Sequence, residues 1–349
     1  MKHKNALLSI VITARQAENV VTRCLDSVAG QKDAHLEIIV VDDASTDATA
    51  EICRNHAAAD NRVTLLRHIK KTGIAAARNH GLDAASGAFV QFIDAGDWLA
   101  PDYCRALLDP LADESVDLSV GGMQLIPASP DNDIRASGEV WPVPFGGTVE
   151  CGHYLGLSCD TSRNSMQTVL FSSFNKIYRR ARLDFFRFPE GFQAGEDWLF
   201  TFTFLRHCNR IAMVANDGYH LAEDSVPFHA ARQYNPRELS EAILRCRAYL
   251  ETVHARIGPS RKPACNAFCA SMLIAAVIRF CRRDATLSAN DIITQLDHLL
   301  ISPDTAMYLR GYRPRRGQSR LIPFLMRHQL PEALFYLARR YAHMRKQFF

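Results

Sequence analysis

Two short runs, LSIVIT at 8–13 and LEIIVV at 36–41, are almost continuously apolar and rich in β-branched residues. Half-exposed strands alternate, whereas this pattern predicts parallel strands covered on both faces. A helical stretch from about Glu18 to Val28 lies between them, so together they predict a βαβ unit. The second run ends in Asp42, Asp43, Ala44, Ser45, Thr46 and Asp47. Such short polar side chains cap the helix expected through Cys53 to Ala58. VTLLRH at 63–68 predicts a third strand, an alanine-rich helix follows between Gly73 and Gly87, and AFVQFI at 88–93 predicts a fourth strand ending at Asp94. Strands alternating with helices give an open, mostly parallel sheet that binds ligands beyond the carboxyl ends of its strands.

From about 116 to 150 the pattern loosens into PASPDNDIRASG and WPVPFGG, the composition of loops covering a site. A strand or helix is expected around FNKIY, a loop at FPEGFQAGED, and a helix from about Trp198 to Cys208. After about residue 232 the segments RELSEAILRCRAYLETVHARI, AFCASMLIAAVIRFCRR and PEALFYLARRYAHMRK carry apolar residues at helical spacing. The expected division is a nucleotide-binding half at 1–115, an acceptor half at 116–232 and a helical, basic region at 233–349.

Composition narrows the classes. The chain has 349 residues, 48% hydrophobic and 22% charged, too apolar for disorder and long enough for one large or two fused domains. The amino-terminal apolar run meets Arg15 without a small-residue cleavage site, which predicts no signal peptide and a cytoplasmic location. Ten cysteines show no CxxC pair and no zinc-type histidine spacing, so reduced, buried thiols are expected. SMLIAAVI is closed by Arg279, Arg282 and Arg283 and is not expected to span a membrane.

Residues 301–349 hold ten Arg or Lys against two acids, which leaves residues 1–300 net acidic, with 31 basic and 35 acidic residues. Interleaved with Tyr, Phe and Leu, such a segment suits an anionic membrane surface, peripheral on the inner face. A homo-oligomer contact ranks second, and no nucleic acid is expected because no nucleic-acid motif accompanies the charge.

The polar residues at the strand ends carry the candidate chemistry. Asp43 can accept hydrogen bonds from a base or ribose, and Arg78 can reach a base or phosphate; taken alone, each is better read as a solvated turn acid or a surface cation. Asp94 and Asp97 can bind a divalent metal bridging a diphosphate. Glu196 and Asp197 sit at a helix start, where an acid is also favoured simply by the helix dipole.

Order and spacing together resemble the family 2 glycosyltransferases of the GT-A fold, a Rossmann-like, mostly parallel α/β sheet with flanking helices, here with a C-terminal helical appendage. The resemblance lies in LSIVIT with AEN at 17–19, CLDSV at 24–28, EIIVVDDASTD at 37–47, GIAAARNHGL at 73–82, DAGDWLAPD at 94–102, NKIYRR at 175–180 and GEDWLF at 195–200. It implies an inverting, single-displacement transfer from a nucleotide-sugar, a UDP-sugar, to a saccharide or lipid-linked acceptor in surface polysaccharide or glycolipid assembly. By the same resemblance Thr13, Glu18, Asp43, Arg78 and Asp94 would bind the donor, with Asp43 on the base edge. Asp197 would be the general base, Glu196 its orienting partner, and Trp198 would pack behind.

Two departures bear on this. After Thr13 the family's aromatic is replaced by Ala14, Arg15 and Gln16, so Arg15 is expected to stack on the base instead. The acidic motif has Gly96 where the family places its metal-binding carboxylate. Mn²⁺ or Mg²⁺ would then be held by Asp94 and Asp97 in altered geometry with His220, or His229, nearby; cations replace the metal; or the chain is a silent nucleotide-sugar- or saccharide-binding partner of an active transferase. A nucleotidyltransferase is the third class, disfavoured because AENVVTR is not a glycine-rich phosphate loop.

Overall fold

The computed structural model describes residues 7–32, 34–127, 139–160, 164–192, 195–223, 235–257, 262–282, 285–314 and 318–344. The chain forms two compact units. The first comprises Met1–Tyr154, Thr161–Phe192 and Glu196–Phe228, and the second Leu155–Asp160, Gln193–Gly195 and His229–Phe349.

In the first unit, β1 (Leu7–Ala14), β2 (His35–Asp42), β3 (Val63–Arg67) and β4 (Phe89–Asp94) run parallel in the order β3-β2-β1-β4. Ile10, Val11, Ile12, Ile38 and Val40 are buried, as expected for strands covered on both faces. The crossover helices are α1 (Val21–Ala29), α2 (Thr49–Ala59) and α3 (Ile74–Ala84). Helix α1 buries Val21, Cys24, Leu25 and Val28, one stripe at helical spacing. Helix α3 lies close to the sheet because it has glycine at 81: a β-carbon there would come within 2.2 Å of Val11 Cγ1.

The register of β1 against β4 sets Thr13 opposite Asp94, so both side chains emerge at the same carboxyl edge. Beyond β4 the sheet continues as β9-β6-β10-β5, made of β5 (Trp98–Leu99), β6 (Val116–Ile126), β9 (Lys176–Arg179) and β10 (Arg210–Ala222), with β7 (Glu139–Trp141) on β6 and β8 (Gly147–Glu150) on β10. The helices of this stretch are α4 (Tyr103–Leu108), α5 (Cys151–Asp160), α6 (Asn164–Phe171) and α7 (Glu196–Leu205).

The loops expected at 116–150 are therefore partly strand. VDLSVGGMQLI is a long strand of the sheet despite two glycines. Both are required by close packing: a β-carbon on Gly121 would lie 2.4 Å from the Tyr103 hydroxyl, and one on Gly122 would lie 1.9 Å from Asp217 Oδ1. The KIY of FNKIY is strand, and RIAMVANDGYHLA adds β10, an element absent from the expectation.

The second unit is helical: α8 (Glu238–Ile257), α9 (Lys262–Phe280), α10 (Ala289–Leu300), α11 (Pro303–Leu309), α12 (Leu321–Arg327) and α13 (Pro331–Met344). Its centre is α9, which packs on α8, α11 and α13 and buries Cys265, Phe268, Cys269, Leu273, Ala276, Val277 and Phe280. Over Pro263–Phe280 this helix is long and apolar enough to cross a membrane, with a mean hydropathy of 1.6; 56% of that window is buried within the protein. A core helix surrounded by other helices has the same composition.

Candidate active site

The site is built where β1, β2 and β4 end. Thr13 Oγ1 donates to Asp94 Oδ1 at 2.9 Å. The same carboxylate receives Arg78, whose Nη2 lies 3.0 and 3.2 Å from its two oxygens, while Arg78 Nη1 donates to Glu196 Oε1 at 2.8 Å. One guanidinium thus ties the end of β4 to the first turn of α7. Its planar fork suits two carboxylates at once. Arg78 is 1% exposed; burial works against its charge, but Asp94, Glu196 and Asp197 outweigh that and hold it more firmly cationic.

Arg78 was expected to contact the base or the diphosphate. In the structure its two Nη groups bridge Glu196 and Asp94, while its buried Nε has no hydrogen-bond partner among the described residues. Helix α3 also explains its neighbour: Asn79 clamps the Phe188 peptide, donating to its carbonyl at 2.9 Å and accepting from its N–H at 2.8 Å. Arg78 lies over the Phe188 ring, which stacks on Phe200 of α7.

Next to Glu196, the Asp197 carboxyl is pushed up to about 7 by burial first and by the Glu196 charge second, against the pull of Arg78. A carboxyl with that value can take a proton near neutral pH. Nearby, and unforeseen, is Lys176: fully buried on β9, it donates to Val169 O at 2.8 Å and to Asn175 Oδ1 at 2.7 Å. Burial depresses its pKa well below the lysine range, while the Asp197 charge opposes the fall. The only signal in the sequence was a lysine inside the apolar FNKIY.

Asp43 is 4% exposed. Its Oδ1 accepts from Thr72 N at 2.7 Å, Thr72 Oγ1 at 2.9 Å and the His68 ring at 2.9 Å, and its Oδ2 accepts from Gly73 N at 2.9 Å. It therefore secures the turn into α3, where Gly73 takes a left-handed φ of 100°. Oδ2, with one such donor, keeps acceptor capacity. His68, stacked on His80, was not anticipated.

Glu18 is exposed, and its carboxylate accepts from Ala48 N at 3.0 Å while its own N–H reaches Asp47 at 3.2 Å. Gln16 Oε1 likewise accepts from Thr46 N at 2.7 Å. The loops after β1 and β2 are cross-braced, leaving Arg15 exposed between them.

The acidic turn after β4 does not fit the expected metal. Both Asp94 oxygens are engaged by Arg78, and Thr13 shares one of them. Asp97 is fully buried, with Oδ2 taking the Tyr219 hydroxyl at 2.6 Å and Oδ1 the Ala222 N–H at 3.0 Å. Burial and the Asp94 charge push it well above the carboxylate range, toward a neutral acid. His220 stacks on Trp98, and its Nδ1 has no hydrogen-bond partner among the described residues. At Gly96 the backbone carbonyl accepts from Arg23 at 3.0 Å, and that guanidinium lies 3.7 Å over Trp98. No group of three or more His, Cys, Asp or Glu side chains among the described residues is placed to share an ion. Asp94 and Asp97 thus meet donors of the protein itself, whereas His220 keeps a ring nitrogen without a hydrogen-bond partner among the described residues; His229 lies outside the described residues.

A sheet of this order, with acids gathered at the carboxyl ends of β2 and β4 and at the start of α7, defines a GT-A-type glycosyltransferase fold. The sequence profile described as glycosyl transferase family 2 matches residues 9–195, more than half of the chain, and the chain belongs to that family. Glycosyltransferase GlyA of Streptococcus pneumoniae serotype 4 is 36% identical over 114 residues, which cover 33% of this chain and 16% of that protein. Succinoglycan biosynthesis protein ExoO of Rhizobium meliloti is 26% identical over 229 residues, 63% of this chain and 62% of that one. The chain thus spans less than two thirds of the length of either relative. Among solved structures, S. aureus TarS 1–349 in complex with UDP-GlcNAc superposes with a TM-score of 0.65 at 19% identity, covering 98% of this chain and 93% of that one, a likeness of fold.

Proposed function

We propose that the protein is an inverting glycosyltransferase that moves a sugar from a UDP-sugar to a saccharide or lipid-linked acceptor. The observation that carries this is the Arg78 bridge from Asp94 to Glu196 beside an Asp197 whose carboxyl is raised to about 7. Asp197 takes the proton of the acceptor hydroxyl, the freed oxygen forms its bond to the anomeric carbon, and the bond from that carbon to the diphosphate breaks as UDP leaves. Glu196, fixed by Arg78, keeps Asp197 basic enough for the task. The nucleoside would meet Thr13, Glu18 and the remaining acceptor capacity of Asp43, with Arg15 as the stacking plane. The UDP-GlcNAc complex of TarS supports the donor class, and the name of ExoO supports surface polysaccharide assembly.

The working division is a transferase domain at 1–232 and a helical region at 233–349, in the cytoplasm on the inner membrane face. Exposed Arg310, Arg313, Arg320 and Arg340 support docking on anionic lipid. Arg327 is already used within the unit, donating to Leu309 O at 3.2 Å.

A screen of nucleotide-sugars for UDP release tests the activity. Asp197→Asn should abolish turnover while UDP still binds; retained turnover would remove Asp197 as the base. The second reading, a silent binding relative, draws on Gly96 and the internally committed acids. Calorimetry with UDP, with and without Mn²⁺, separates the cases: binding that Mn²⁺ leaves unchanged, with no transfer from any donor, would favour it.

A further inference from the structure

His68 follows β3 directly, and its own N–H donates to the Asp42 carbonyl at 2.9 Å, which holds the residue against the end of β2. Its half-buried ring stands between two partners. On one side Nδ1 lies 2.9 Å from Asp43 Oδ1, where Thr72 Oγ1 also converges. On the other, Nε2 lies 3.0 Å from Nδ1 of His80 on α3, the ring planes being only 12° apart. Asp43, His68 and His80 thus form a chain of three side chains drawn from β2, the end of β3 and α3.

The acid decides where the hydrogens along this chain sit. Burial works against the charge of Asp43, yet the bonds from His68, Thr72 and Gly73 more than offset that and hold the carboxyl below its usual range. At neutral pH it can therefore only accept. Two bare acceptors facing each other at hydrogen-bond distance would repel, so Nδ1 of His68 carries a hydrogen. In a neutral imidazole Nε2 is then an acceptor, and the hydrogen between the two rings belongs to His80 Nδ1. His80 thereby selects the tautomer in which His68 points its N–H at Asp43. A carboxylate braced in this way neither turns nor takes up a proton readily, and it offers a ligand lone pairs alone. Uracil carries an N–H at ring position 3, whereas cytosine has a bare nitrogen there. A fixed acceptor pairs with the first and opposes the second.

We propose that His68, its tautomer set by His80, is a positioning residue that holds Asp43 as a fixed acceptor and so makes the nucleoside site choose uracil over cytosine. The inference rests on the proposed contact of Asp43 with the base of the donor. It gives two histidines that need not touch the ligand a part in deciding which nucleotide the protein accepts.

The test is calorimetry on the full chain with UDP and CDP as probes. The wild type should bind UDP about tenfold or more tighter than CDP. His68→Leu should weaken UDP by about tenfold while CDP stays within about twofold, so that the ratio closes. His68→Asn, whose amide N–H stands close to the place of Nδ1, should recover most of the ratio. His80→Phe, which keeps an aromatic ring but removes the donor to Nε2, should lower the ratio part of the way; a wild-type ratio there overturns the role given to His80. A wild-type ratio in His68→Leu overturns the inference. So does an equal loss of both nucleotides together with a lower melting midpoint, in His68→Leu and His68→Asn alike, which is the mark of a purely structural ring. A wild type that binds UDP and CDP equally overturns the base contact and the inference with it; a discriminating wild type beside an equally discriminating His68→Leu overturns the inference alone. Because the readout is binding, failure to transfer from any donor overturns the proposed reaction without deciding this comparison.

Discussion

Glu196→Gln isolates the electrostatic work of the acid pair. With the Asp197 carboxyl at about 7, the ionised fraction falls about tenfold for each pH unit below that value. Wild-type kcat/KM should therefore rise with pH and level off above 7, standing roughly 100-fold lower at pH 5 than on the plateau. The direction follows from the chemistry: a raised acid becomes a base only as the pH climbs through its value. Replacing Glu196 with an amide removes the second largest cause of the shift while nearly keeping the side-chain shape.

At an effective dielectric of about 20, carboxyls of adjacent helical residues roughly 7 Å apart repel by ~2 kcal/mol, equivalent to about 1.5 pH units. Arg78, relieved of one acid, then acts on Asp197 less opposed, and this moves the value in the same direction. The acidic limb should shift to about pH 5.5, leaving only about a fourfold deficit at pH 5. Initial rates against pH at constant ionic strength measure this directly. A limb that stays in place, or moves to higher pH in the variant, refutes the electrostatic account.

Arg78→Met would leave Asp94 and Glu196 buried without their shared cation, at a cost of about 3–5 kcal/mol in unfolding free energy; an unchanged urea midpoint would contradict the bridge. Gly122→Ala places a β-carbon 1.9 Å from Asp217 Oδ1 and should destabilise by about 1–3 kcal/mol, visible as a lower thermal midpoint. Burial raises Asp43, but its bonds from His68, Thr72 and Gly73 prevail and depress it. The stability it lends is full above the unfolded carboxylate value of about 4 and is lost as pH falls through the lower folded value. The melting difference between wild type and Asp43→Asn should thus be present at pH 7 and vanish in strong acid; a difference independent of pH would argue against it.

The first hundred residues were legible because fully buried parallel strands leave a signature that survives without context: unbroken β-branched runs closed by capping residues. β6 was not, since Gly121 and Gly122, demanded by Tyr103 and Asp217, imitate the composition of a loop. β10 hid for a similar reason, its apolar run broken by Asn216, Asp217 and Gly218 between Val214 and Tyr219, where the pairing with β6 shifts register. At the site, the sequence singled out acids at strand and helix ends but could not tell an exposed side chain from an engaged one. Arg78 and Asp97 look available as letters; only packing shows that the first is surrounded by carboxylates and the second bonded to Tyr219. Lys176 was invisible because its burial is set by the packing of the sheet, although its hydrogen-bond partners Val169 and Asn175 are close in sequence.

The pairing of Thr13 with Asp94 across β1 and β4 makes the sheet the ruler by which this site is measured. Side chains on a strand alternate faces, so adding or deleting one residue within 89–94 would leave the sheet able to pair yet turn Asp94 away from Arg78. Length variation compatible with transfer is therefore confined to the connections, and reshaping of specificity, whether by evolution or at the bench, has to work around a strand whose count cannot change.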